Sequence, residues 1–83
     1  MIWIRLREAM ERYERNTGER ITYDILSKRT GLSRATIEAL GSRAGYNPRL
    51  STIESLCHAL GCTPAEILGY SPRNGPIQGE DQP

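Results

Sequence analysis

The chain has 83 residues, a formal net charge of +1 at pH 7 and no phenylalanine. A chain of this length forms one small domain, which buries about 60 to 65% of the surface that its unfolded form exposes. It lacks the run of about 18 apolar residues that a membrane span needs, and Arg5 and Arg7 interrupt the apolar N-terminal stretch before a signal-peptide core is complete. We therefore expect a cytoplasmic protein.

Apolar residues recur at helical spacing, and no run alternates with a period of two over the length of a strand. We predict an all-α fold with five helices. The first helix is expected over residues 3–15, and its apolar face is formed by Trp3, Leu6, Met10 and Tyr13. We interpret this face as core, and a subunit contact through Ile2 and Trp3 is the alternative. Gly18 is expected to end the helix, and Ile21 to enter the core.

Two short helices joined by a tight turn are predicted within residues 22–44 (TYDILSKRTGLSRATIEALGSRA). Thr22 can cap the first helix, since its hydroxyl can accept a hydrogen bond from an N–H group of the first turn. This helix is expected to end at Thr30, because Gly31 allows the positive φ with which helices often end. Ser33 then caps the second helix. Core contacts that set the steep angle of a helix-turn-helix are expected from Leu26, Ile37 and Leu40.

The outward face of the second helix is polar, and it is basic at both ends. Its residues are Ser33, Arg34, Ala35, Thr36, Glu38, Ser42 and Arg43. Small side chains between longer ones let a helix approach base edges in the major groove of DNA. Residues 20–49 carry six basic and two acidic side chains, whereas the other residues carry five basic and eight acidic ones. The positive part of the chain therefore coincides with the predicted motif.

Residues 23–40 (YDILSKRTGLSRATIEAL) resemble the helix-turn-helix of the Cro and phage-repressor (XRE-type) family, and residues 50–68 are similar to that family's fourth and fifth helices. The resemblance implies a lambda-repressor-like DNA-binding domain, in which the five helices form a compact bundle. Tyr23 stands where the family often has a Gln that contacts a phosphate, and the tyrosine hydroxyl can still donate to one. Ser27 stands where Ala is common. Gly41 stands where many relatives have Glu, and it weakens the reading helix by about 1 kcal/mol relative to Ala.

A loop and two further helices are predicted after the motif. Residues 45–49 are rich in Gly, Asn and Pro. The resemblance implies that this loop lies near the DNA backbone, where Tyr46 and Arg49 can contact phosphates; a solvated loop is the alternative. Capping boxes are predicted at residues 51–54 and 63–66, with Gly61 between the two helices and Pro64 at the first position of the second. The apolar positions of these helices are Ile53, Leu56, Cys57, Leu60, Ile67 and Leu68.

Cys57, His58 and Cys62 suggest a metal site, but their spacing matches no zinc pattern that keeps the fourth helix intact. We therefore expect no metal. We also expect reduced thiols, because two cysteines are too few for a disulfide framework. The sequence shows no nucleophile pair, Gly-rich phosphate loop or acidic cluster, so we expect neither a cofactor nor enzymatic activity.

Residues 71–83 (SPRNGPIQGEDQP) contain three Pro, two Gly and one large apolar residue, Ile77. Such a segment cannot bury enough apolar surface to order itself. We therefore predict a DNA-binding domain over residues 1–70 and a flexible C-terminal tail over residues 71–83.

We interpret the chain as a sequence-specific transcriptional regulator, a repressor that binds double-stranded DNA as a homodimer. Arg34 is predicted to reach a guanine edge, and Lys28 and Arg29 to hold phosphates. The rest of the readout is assigned to Ser33, Ala35, Thr36, Glu38 and Arg43. The alternative is a protein-interaction module of the same fold, such as an antitoxin or a partner of another regulator, which the low net charge and Glu38 on the reading face favour.

Overall fold

A computed structural model describes residues 2–42 and 47–72, and within these ranges it contains five helices and a two-stranded sheet. The helices are α1 (Leu6–Thr17), α2 (Tyr23–Thr30), α3 (Arg34–Ser42), α4 (Leu50–Leu60) and α5 (Pro64–Ile67), and the strands are β1 (Ile2–Ile4) and β2 (Leu68–Tyr70). The mostly helical fold is confirmed, and the structure adds a two-stranded sheet that the sequence did not predict. Arg43, Tyr46 and residues 73–83 lie outside the described residues, and so does nearly all of the predicted tail, including Ile77.

The sheet joins the two ends of the described chain. β1 and β2 pair antiparallel with Trp3 opposite Gly69, and the Arg5 N–H donates to the Ile67 carbonyl at 2.7 Å. The indole of Trp3 lies directly against Gly69, where an added Cβ would be 2.6 Å from indole Cε2. Isoleucine and tryptophan favour extended backbone. The first helix consequently begins at Leu6 and not at Trp3, and it extends to Thr17.

Most of the predicted helix boundaries are confirmed by the capping contacts. The Thr22 hydroxyl accepts from the Ile25 N–H at 3.2 Å, and Gly31 follows α2 with a φ of 77°. At α5 the predicted capping box is complete, since the Glu66 N–H donates to the Thr63 hydroxyl at 3.3 Å and the Thr63 N–H donates to the Glu66 carboxylate at 2.9 Å.

The capping box predicted at residues 51–54 is wrong. α4 begins at Leu50, and Arg49 is its N-cap without a side-chain hydrogen bond to the helix. Ser51 lies within the first turn, where its carbonyl accepts from the Ser55 hydroxyl at 3.1 Å. The extended backbone of Arg49, with a φ of −72° and a ψ of 158°, starts the helix two residues earlier than the Ser-x-x-Glu pattern predicted.

One apolar core is shared by the described helices. Its buried residues are Leu6, Ala9, Ile21, Leu26, Ile37, Leu40, Leu56, Cys57, Leu60 and Ile67. Leu68, predicted to point inward from a helix, is half-buried in β2 instead. No helix in the described ranges is long and apolar enough to cross a bilayer. Burial of Ile37 and Leu40 fixes the rotation of α3 and so determines which of its faces meets solvent.

Two departures from the family pattern, Tyr23 and Gly41, contact each other. The Tyr23 side chain lies over the last turn of α3, so a Cβ added at Gly41 would overlap the Tyr23 hydroxyl and lie 3.2 Å from Cζ of the ring. The same Cβ would be 3.6 Å from Cδ2 of Leu6. Gly41 therefore lowers the helix propensity of α3 but leaves room for the Tyr23 ring.

We expect Gly41→Ala to destabilise the protein by about 1 to 2 kcal/mol, because displacing a packed ring outweighs the gain in helix propensity. In a Tyr23→Ala background the overlap is gone, so the same substitution is expected to be neutral or to stabilise by up to about 1 kcal/mol. Urea unfolding of the four variants in this cycle measures both values. Stabilisation by Gly41→Ala in the otherwise unchanged chain would show that the ring moves aside freely.

Candidate nucleic-acid interface

The turn between α2 and α3 is held by short side chains. The Ser27 hydroxyl donates to the Leu32 carbonyl at 2.5 Å, and the Leu32 N–H donates to the Thr30 hydroxyl at 3.2 Å. Ser33 caps α3 as predicted, since its hydroxyl accepts from the Thr36 N–H at 3.1 Å. Ser27 thus has a local function in this chain, because its hydroxyl satisfies a carbonyl of the turn.

The outward face of α3 lies in solvent as the sequence predicted. Its exposed residues are Ser33, Arg34, Ala35, Glu38 and Ser42. Thr36 is half-buried and accepts from the Ser33 hydroxyl at 2.9 Å, and the Ser42 hydroxyl donates to the Glu38 carbonyl at 2.7 Å. Arg43 lies outside the described residues. These contacts leave Arg34 and Glu38 as the long polar side chains of the described part of this face.

Arg34 is held between two carboxylates. Its Nη1 donates to Oδ1 of Asp24 at 2.7 Å, and its Nε donates to Oε2 of Glu38 at 3.1 Å. The Asp24 carboxylate, followed by that of Glu38, raises the pKa of the guanidinium. Asp24 lies in the first turn of α2. Its contact with Arg34 connects the starts of the two motif helices.

Arg29 is part of a second polar cluster, which joins α2 to α1 and to the segment between them. Its Nη1 donates to the Tyr13 hydroxyl at 2.6 Å, and its Nη2 lies 3.5 Å from Oε1 of Glu19. The Tyr13 hydroxyl donates to the same Glu19 oxygen at 2.7 Å. Contact with Tyr13 and then with Arg29 lowers the pKa of Glu19. The guanidinium also lies 5.7 Å from the centroid of the Tyr13 ring.

Two of the other side chains that were predicted to contact the DNA backbone are open to solvent. Lys28 and Arg49 are exposed, and in the described part of the chain neither forms a salt bridge. Arg20 is also exposed and forms no salt bridge among the described residues. Tyr23 is half-buried, with its hydroxyl against Gly41 of α3. The structure therefore separates the basic side chains near the motif into paired ones, Arg29 and Arg34, and solvated ones.

Cys57 and Cys62 are free thiols, the first buried and the second half-buried. Burial, and then the neighbouring Cys57, raises the pKa of the Cys62 thiol to about 11, so it is protonated at neutral pH. His58 is exposed. Within residues 2–42 and 47–72, no three His, Cys, Asp or Glu side chains are placed to hold a metal ion.

Comparison with known proteins agrees with the geometry of the two motif helices. Residues 18–73 match the Cro/C1-type HTH DNA-binding domain. The chain is also similar to YozG of Bacillus subtilis (strain 168), an uncharacterized HTH-type transcriptional regulator, with 42% identity over 45 residues. That alignment covers 54% of each protein, so the chain spans about half the length of this curated relative. Because the domain match includes α2, the turn, α3 and the two helices that follow, the chain belongs to the Cro/C1-type helix-turn-helix DNA-binding family.

Proposed function

We propose that the chain is a sequence-specific transcriptional regulator of the cytoplasm, a repressor that acts by occupying operator DNA. The observation that supports this most directly is the division of α3 into two faces. Ile37 and Leu40 are buried, and the opposite face presents Arg34 and Glu38 among small or short side chains. A helix of this kind can enter the major groove, where a guanidinium can bind O6 and N7 of guanine. Arg34 is the proposed base contact, and Ser33, Ala35, Thr36, Glu38, Ser42 and Arg43 shape the rest of the readout.

Contacts to the DNA backbone are proposed for Lys28, Arg29, Arg49 and the Tyr23 hydroxyl. Lys28 and Arg49 are exposed and form no salt bridge among the described residues, so they can approach phosphates without losing an intramolecular partner. Arg29 has to share its guanidinium with Tyr13 and Glu19. Phosphate contacts fix the orientation of the protein on DNA but carry no direct sequence information.

We further propose that two copies bind a two-fold operator. One reading helix covers only a few base pairs, and a second half-site about one helical turn away supplies the missing specificity. The sequence suggested a subunit contact through Ile2 and Trp3. In the structure both residues lie in β1, where Ile2 and its cross-strand neighbour Tyr70 are 60% and 62% exposed.

A titration of duplex DNA at two salt concentrations tests this function. We expect binding to random duplex that weakens steeply between about 50 and 200 mM salt, with tighter binding to a site selected from a random pool. Three cations on phosphates predict a slope of log K against log salt near −3 for each protomer. The same titration at high protein concentration gives the stoichiometry, for which we expect two protomers on one site. Lack of binding to every duplex at low salt would contradict the proposal.

The second candidate function is a protein-interaction module that retains the family fold. It is favoured by the two carboxylates, Asp24 and Glu38, that neutralise Arg34 on the outward face. A module of this kind binds a partner such as a toxin or another regulator through the same surface. It predicts no salt-dependent DNA binding, so the titration distinguishes it from the regulator.

A further inference from the structure

The two acidic partners of Arg34 are not explained by stability. The side chains of Arg34, Asp24 and Glu38 are each more than half exposed, and exposed ion pairs contribute little to folding. A carboxylate near a bound phosphate backbone also opposes binding, because the two groups repel each other. A pair of acids beside the proposed base contact can therefore act on selectivity more than on stability.

The geometry leaves the guanidinium able to read a base. A guanidinium has five N–H donors, and the two carboxylates occupy one on Nε and one on Nη1. The remaining donors lie on Nη1 and Nη2, and a guanine needs two of them. Arg34 can therefore keep both acidic partners while it forms a bidentate contact.

Holding the side chain in this way affects the cost of binding. A free arginine side chain samples many rotamers, and ordering it on DNA opposes association. Asp24 comes from a different helix than Arg34, so its contact fixes the guanidinium relative to the whole motif and not only to α3. These contacts bias the guanidinium towards one base step and make a turn towards a nearby phosphate less favourable.

We propose that Asp24 is a positioning residue for base recognition: it orients Arg34 towards a guanine and, through its negative charge, weakens binding to DNA that lacks this guanine. The proposal rests on the proposed function of α3 as the reading helix. Glu38 supports the same orientation from within α3. Asp24 thus increases discrimination between DNA sequences in two ways. It favours the contact of Arg34 with guanine, and it disfavours binding to DNA that lacks this guanine.

The test uses Asp24→Asn, which keeps the shape of the side chain and removes its charge. Binding is measured on the selected site, on random duplex and on the single-base variant at which Arg34→Ala loses its preference. We expect about two- to fivefold tighter binding to random duplex, because a repulsive charge is removed. We also expect the preference at that base pair to fall by about fivefold or more, which is part of the discrimination that a bidentate contact gives. In an Arg34→Ala background, Asp24→Asn should leave the remaining preference unchanged.

Glu11→Gln is the matched control, because it changes the net charge equally at an exposed position of α1 that forms no salt bridge among the described residues. It should leave the preference at that base pair unchanged. An Asp24→Asn protein with normal DNA binding and an unaltered preference would overturn the positioning role alone. A uniform loss on every duplex, together with a lower melting temperature, would also overturn it, since Asp24 would then be a structural link between α2 and α3. Failure of the unmodified protein to bind any duplex would overturn the proposed function itself.

Discussion

Replacing Leu40 with alanine is expected to lower the free energy of unfolding by on the order of 2 to 4 kcal/mol. Leu40 lies on the inner face of α3, is 3% exposed and belongs to the shared core. Its truncation removes buried apolar surface and leaves a cavity beside the motif helices. Small domains are stable by only about 5 to 15 kcal/mol, so a loss of this size takes a large part of the total. Urea unfolding followed by circular dichroism gives the value.

Leu50→Ala is the matched control for this experiment. Leu50 is the first residue of α4 and is 83% exposed, so the same chemical change should alter stability by less than about 0.5 kcal/mol. Equal effects at the two positions, or a near-native Leu40→Ala protein, would mean that α3 is rotated about its axis. The proposed reading face would then be wrong as well, because it is defined by what α3 buries.

Arg34→Ala and Arg29→Ala are expected to affect DNA binding in different ways. Arg34→Ala should weaken binding to the selected site by about 5- to 150-fold and relax the preference at one base pair, since it removes the proposed bidentate base contact. Arg29→Ala should weaken binding to every sequence about equally and reduce the slope of log K against log salt by about 1, since it removes a phosphate contact. A salt series on the selected site and on its single-base variants measures both effects.

Lys28→Ala is the control variant for Arg29→Ala. Arg29 contacts Tyr13 and Glu19, so its removal also changes the packing of α2 against α1, whereas Lys28 has no salt-bridge partner in the described ranges. Lys28→Ala should therefore change the salt slope without lowering the melting temperature. A uniform loss for Arg34→Ala would identify Arg34 as a backbone contact. No loss for any of the three variants would favour the protein-interaction module.

The parts of the fold that depend on residues close together in the sequence were predictable. Thr22, Gly31 and Ser33 act at helix ends through contacts within a few residues, so their types alone located α2 and the start of α3. The buried positions Leu26, Ile37 and Leu40 followed from helical periodicity. Family membership could also be predicted, because the motif pattern is local.

Contacts between distant residues were not predictable in this way. β1 and β2 have three residues each, too few for an alternating pattern, and they pair across almost the whole described chain. The Arg34–Asp24 contact crosses the turn between two helices, and its geometry depends on their angle. The same holds for the contact between Tyr23 and Gly41, which the sequence showed only as two separate departures from the family pattern.

Pairing of Ile2 with Tyr70 also sets the order in which this protein can fold on the ribosome. The α2–turn–α3 segment uses contacts close in sequence, which form without a large loss of chain entropy. β1 leaves the ribosome before the other described elements, but it has no partner strand until Tyr70 has emerged. β1 therefore stays unpaired on the nascent chain until residues 68–70 have been made, and the sheet cannot close before that point.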